Sequence, residues 1–228
     1  MTTRSRTEWS SSPRFGWVEV TGAIVTYVVL LVVISAVILR TPDDYAALRG
    51  IFSMASNGIA GIAAVLVACL LRIRDMRAFG FRVTSCRWLL IGAALGVLAY
   101  VLSHVVEGIY FHFVTEPNTQ GDFQAAATGG LWSFGILLFT GALLTPLGEE
   151  AVFRGVIGNV LNRYGPWAGV VGSAAIFAAA HGPSVIFLDA FLVGILTGIL
   201  LRKTGSVWPG LATHVIYNGL WLTTYALA

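Results

Sequence analysis

Glu149, Glu150 and Arg154 stand together in a stretch of sequence that is otherwise apolar, Leu131–Asn162. A charge at mid-membrane costs about 2.5–3.5 kcal/mol on insertion scales, so charges there need a reason. Glu150 and Arg154 are four positions apart, share a helix face and can pair. Glu149 lies about 100° around the helix and need not share that arginine. One carboxylate is then neutralised while its neighbour is left for chemistry. Two more polar groups follow, Phe177-Ala-Ala-Ala-His181 and His214-Val-Ile-Tyr217-Asn218. Each alone has a plain reading: a histidine at a span end is often interfacial, and a polar stripe on an apolar helix can be interhelical glue.

Spacing links the three groups. The turn Tyr164-Gly165-Pro166 is 15 residues from Glu150 and 16 from His181, counted from Gly165. In an antiparallel helix pair both groups then lie about 22–24 Å from the turn. Beyond the next turn, Thr204-Gly205-Ser206, His214 and Asn218 lie about 14–20 Å in. The levels agree if the first hairpin projects beyond the membrane. Two carboxylates, two histidines and an amide are thus expected at one depth.

Such a set has the parts for hydrolysing an amide with activated water. A buried carboxylate beside a histidine can take a proton from water, and a second histidine with an amide can donate to a developing oxyanion. Ser173 and Ser184 flank the region without the context of an activated nucleophile. Glu149, His181 and His214 also make a plausible three-ligand zinc set. Against zinc stand the absence of an H-E-x-x-H motif and the poor ligand Asn218, so metal-free chemistry is the favoured reading and zinc the alternative.

Composition says what must hold these residues. Of 228 residues, 57% are hydrophobic and 11% charged, with a mean hydropathy of +0.80. An average soluble domain carries about 25% charged residues. A soluble enzyme, a disordered chain and a nucleic-acid binder are excluded, and an all-α polytopic membrane bundle is expected. Seven apolar segments stand out (six to eight are possible): Val20–Leu39, Ile51–Leu71, Trp88–Val114, Leu131–Asn162, Pro166–His181, Ser184–Leu201 and Trp208–Leu227. The first is long enough to be a retained span rather than a signal peptide. The fourth is too long for one crossing and is expected to project or to bend near Gly155–Gly158. The loop Thr115–Gly130 is polar. Gly92-x-x-x-Gly96 and Gly194-x-x-x-Gly198 read as helix packing. Cys69 and Cys86 have no metal spacing and are not expected to form a disulfide.

The net charge of +3 comes from basic residues with a strong positional bias. With the N-terminus inside, all but Arg40 and Arg49 of the 14 Lys and Arg fall in cytoplasmic segments, starting with Arg4, Arg6 and Arg14 and including Arg154. This is the positive-inside pattern. The expected organisation is a cytoplasmic tail at 1–16 and one membrane domain at 17–228, with the motif core at 131–228. His104 and Glu107 share one face of the third span and read as interhelical contacts. Asp189 sits early in the sixth span, near the outer surface; its plain reading is structural, with a role in orienting His181 as the alternative.

The ordered run Glu149-Glu150-x-x-x-Arg154, Phe177-x-x-x-His181 and His214-x-x-x-Asn218 resembles the CAAX-protease and bacteriocin-processing (CPBP, or Abi) family of intramembrane endopeptidases, the group that includes CAAX prenyl protease 2. Phe191, Gly194, Gly198 and Thr204-Gly205-Ser206 between the motifs are also similar. The resemblance covers Leu144 to Asn218, and the first three spans carry none of it. It implies an intramembrane protease whose site opens toward the cytoplasm. Glu149 would activate the water with help from His181, and His214 with Asn218 would form the oxyanion hole. Glu150, Arg154 and Phe177 would support them. The implied partner is a membrane-associated peptide or protein, prenylated or a peptide precursor, and the implied setting is the bacterial cytoplasmic membrane. The rival classes are a zinc-dependent form of the same protease and a non-proteolytic bacteriocin-immunity or scaffold protein. A transporter would need two repeated halves with broken spans, and no such symmetry is present.

Overall fold

The computed structural model describes residues 16–227, so Arg4, Arg6 and Arg14 lie outside the described residues. The chain is all-α, and we number its helices α1 Trp17–Ile38, α2 Ala46–Ala68, α3 Cys86–Phe113, α4 Gly121–Thr128, α5 Leu131–Tyr164, α6 Ala168–Ala179, α7 Val185–Thr204 and α8 Trp208–Leu227. Among the described residues, five helical stretches are long and apolar enough to cross a membrane: α1, α3, α5, α7 and Asp43–Ile73, which contains α2. Large apolar side chains such as Val25, Val29, Val32 and Val33 point outward from α1. That face suits lipid rather than water, and the chain is an integral membrane protein.

All seven expected segments are helical, but two miss the criteria for a span. α6 is too short, and the polar groups of α8 dilute its 20 residues. The loop expected at Thr115–Gly130 contains α4, which packs against α2 and α8.

Contacts across the bundle define two ends. At one, Trp17 Nε1 donates to the Tyr164 hydroxyl at 2.9 Å, and Arg72 donates to the buried Glu19 at 2.7 Å. Ser206 Oγ donates to the Arg82 carbonyl at 2.7 Å. At the other end Arg49 is clasped between Asp43 and Asp122, each at 2.7 Å. The backbone N–H of Val185 donates to Glu116 at 3.2 Å. The first end carries the basic loops, and the second carries Asp43, Glu116 and Asp122.

Close helix contacts rest on missing side chains. Gly58 and Gly61 of α2 lie backbone to backbone against Leu144 and Gly148 of α5, where any Cβ would clash. Gly92 and Gly96 do the same for α3 against α8, and Thr213 Oγ1 donates to the Gly92 carbonyl at 2.9 Å. This is the packing role expected of that glycine pair.

α5 is not a uniform α-helix. It widens to π-helix over Leu138–Leu144 and Glu150–Gly158, with an α-helical turn, Thr145–Glu149, between them. Pro146 explains the first: it has no N–H to give the Ala142 carbonyl, so the ladder slips to the i→i+5 pattern. The second lies where a bend was expected, and the helix answers with wide turns.

Candidate active site

The catalytic candidates meet halfway along the bundle. Glu149 is 3% exposed and Glu150 1%. His214 lies between them, with Nδ1 3.1 Å from Glu150 Oε1 and Nε2 3.5 Å from Glu149 Oε2. His181 Nε2 is 4.0 Å from the other Glu149 oxygen, Oε1. The common depth expected from the hairpin spacing is therefore realised.

Each histidine is oriented through its other nitrogen. His181 Nδ1 is 2.9 Å from the Phe177 carbonyl, one turn back on its own chain. A carbonyl only accepts, so Nδ1 carries the hydrogen and Nε2 faces Glu149 with its lone pair. His214 Nδ1 is held in the same way by the Glu150 carboxylate. Phe177 stacks edge-on to both rings, at 4.8 Å from His181 and 5.6 Å from His214.

Arg154 departs from the expectation. It is fully buried, so it belongs to this site and not to a cytoplasmic topology segment. Its Nε approaches Glu150 Oε2 at 3.4 Å, and its guanidinium lies 4.4 Å over the Phe177 ring. Among the described residues none of its nitrogens makes a hydrogen bond, so the ion pair and the cation–π contact hold it. Gly194 makes room: a Cβ there would lie 2.8 Å from that of Ala174 and 3.2 Å from Arg154 Nη2.

Asn218 lines the same cavity, and its Nδ2 donates to the Gly141 carbonyl at 2.9 Å. The amide has a second hydrogen, which remains for a ligand. Asp189 does not orient His181; its side chain meets Glu107 and Tyr217 instead. His104 bonds the Tyr100 carbonyl of its own helix and meets α8 by stacking on Trp221, in place of a hydrogen bond across helices. Cys69 and Cys86 are both free.

Two residues escaped sequence reasoning. Asn57 of α2 donates through Nδ2 to Glu149 Oε1 at 2.7 Å. Tyr27 of α1 in turn donates to Asn57 Oδ1. Spans without a recognisable motif thus supply the direct hydrogen bond on the central carboxylate. The signal was an amide in the middle of an apolar segment, the same signal that drew attention to Asn218.

A cavity of about 610 Å³ runs from these groups toward the acidic end, past Ile38, Thr119, Gln120 and the turn Gly182–Ser184. Toward the basic end buried Phe79, Val156, Ile157, Val160 and Leu201 fill the bundle. Among the described residues no three His, Cys, Asp or Glu side chains gather as a metal-holding group. The arrangement is one carboxylate with two oriented imidazoles and a spare amide donor at the bottom of a pocket, a constellation fit for proton transfer and oxyanion binding.

A site of that kind inside a helical membrane bundle defines the class, and the comparisons narrow it. Residues 130–220 match the family model of type II CAAX prenyl endopeptidases, Rce1-like, and over that stretch the chain is similar to this family of proteases. The chain is also 33% identical over 86 residues to an uncharacterized 24.3 kDa protein of Escherichia coli, covering 35% of this chain and 40% of that one. It thus spans about two-fifths of the length of this curated relative. No solved structure matches it significantly.

Proposed function

We propose that the chain is an intramembrane endopeptidase that cleaves a peptide bond of a membrane-associated substrate with a water activated by Glu149. The observation that carries the reading is the pair of histidine Nε2 atoms aimed at the two oxygens of Glu149, each ring fixed through its Nδ1. A gap of 4.0 Å between Glu149 Oε1 and His181 Nε2 is one that a single water can span, donating a hydrogen to each. Its oxygen lone pairs then face the cavity.

Glu149 takes a proton from that water as the oxygen adds to the scissile carbonyl carbon. The oxyanion receives the second N–H of Asn218 and, when His214 is protonated, its Nε2–H. Collapse breaks the C–N bond, and the proton held by Glu149 passes to the leaving nitrogen. The products are a carboxylic acid and an amine, and transfer of the acid's proton to the amine leaves a carboxylate and an ammonium group. Glu150 and Arg154 hold His214 and Phe177 in place and touch no reacting atom.

The substrate is a peptide or protein at the membrane, prenylated or a peptide precursor, and the setting is a bacterial cytoplasmic membrane with the N-terminus inside. No metal is needed for this route. A zinc form would use Glu149, His181 and His214. Cleavage of a peptide library by the purified full chain tests the mechanism. Activity should be lost in Glu149→Gln and in His181→Ala and should persist under a chelator panel. Survival in both variants, or loss under chelation with recovery on adding zinc, overturns it. A non-proteolytic immunity or scaffold protein would cleave nothing under any condition.

A further inference from the structure

The cavity opens at the end of the bundle that carries the acids, and the loops that carry Arg74, Arg77, Arg82, Arg87, Arg163 and Lys203 lie at the other. Moving Arg154 from the loops into the core leaves this asymmetry standing. At the acidic end the cations are Arg40 and Arg49, and Arg49 is taken up by Asp43 and Asp122. Basic loops stay on the cytoplasmic side of a membrane. The mouth, lined by Thr119, Gln120 and the Gly182–Ser184 turn, then faces away from the cytoplasm. On the cytoplasmic side the path to Glu149 is blocked by packed Phe79, Val156, Val160 and Leu201.

We propose that the site is loaded from the extracytoplasmic face, so that its substrate is a polypeptide segment exposed at or beyond the outer leaflet and not a lipidated protein of the cytosol. This deepens the protease reading and rests on it for the chemistry, while the sidedness rests on the charge pattern and the cavity. It reverses the cytoplasmic opening that the family resemblance implies. The short α6 fits the same picture. The turn after it, with Gly182 at φ 76°, is irregular backbone at the cavity wall, which is where a membrane protein tolerates such backbone.

The chain carries its own reporter. Cys86 is exposed at the basic end and Cys69 is buried. In bacterial spheroplasts making the full chain, a membrane-impermeant maleimide should leave Cys86 unlabelled until lysis. It should label Thr119→Cys in a Cys86→Ser background before lysis. Labelling of Cys86 in intact spheroplasts, or of Thr119→Cys only after lysis, overturns the proposal. A membrane-impermeant quenched peptide added to the same spheroplasts should be cleaved, with the signal lost in Glu149→Gln. Cleavage that begins only on permeabilisation also overturns the sidedness. Absence of cleavage in both conditions counts against the protease reading instead, and the labelling then decides the sidedness alone.

Discussion

Asn57 on α2 donates a 2.7 Å hydrogen bond to Glu149 on α5, 92 residues along the chain. The bond exists because Gly58 and Gly61 bring α2 onto the Gly148 backbone. It fixes one carboxylate oxygen and leaves the angle of the other to His214. Asn57→Leu should therefore lower kcat about 10- to 100-fold through misplacement of the base, with KM nearly unchanged. Tyr27→Phe, which removes only the support of Asn57, should cost less. Steady-state kinetics on one peptide substrate separates the two parameters.

Glu149→Gln keeps an oxygen for Asn57 to bond and removes the base. The thermal midpoint in detergent should stay close to the parent, while turnover should fall about 10²–10⁴-fold, the usual worth of a positioned general base. A large drop in thermal stability would point to a structural carboxylate.

How much of this could be read from the chain depended on spacing. Glu150 with Arg154, Phe177 with His181 and His214 with Asn218 each repeat the four-residue interval of one helix face, and the hairpin count set them at one level. Asn57 and Tyr27 have no interval to the motif, because their positions follow from how α1 and α2 pack and not from chain distance. In the sequence Arg154 reads as a loop cation, because a buried, hydrogen-bond-free guanidinium is rare. The wide turns of α5 left no mark beyond Pro146 and an overlong apolar run.

Arg154 and Glu150 form a buried pair. Arg154→Leu leaves Glu150 without its counter-charge and should destabilise the protein by about 3–5 kcal/mol. Adding Glu150→Gln should recover part of that loss, because the double variant no longer buries a lone charge. Thermal unfolding of the two single variants and the double, compared as a cycle, checks the coupling.

Gly194 faces Ala174 and the Arg154 guanidinium. Gly194→Ala overfills this contact and should cost about 1–3 kcal/mol, seen as a lower unfolding midpoint. Gly108, around which no atom would meet an added Cβ, serves as the control, and Gly108→Ala should leave the midpoint unchanged or slightly raised.

The two wide-turn stretches give α5 a spare length that no side chain reveals. Each π turn holds one residue more than the α turn it replaces. Deleting a single residue such as Leu143 would let Leu138–Leu144 relax to α-helix while everything beyond keeps its phase, because both kinds of turn cover the same angle. The same deletion in a regular α-helix would rotate everything beyond it by about 100°. Glu149 would therefore keep facing Asn57, and Glu150 would keep facing His214, in a chain one residue shorter: the wide turns act as slack that holds the site in register.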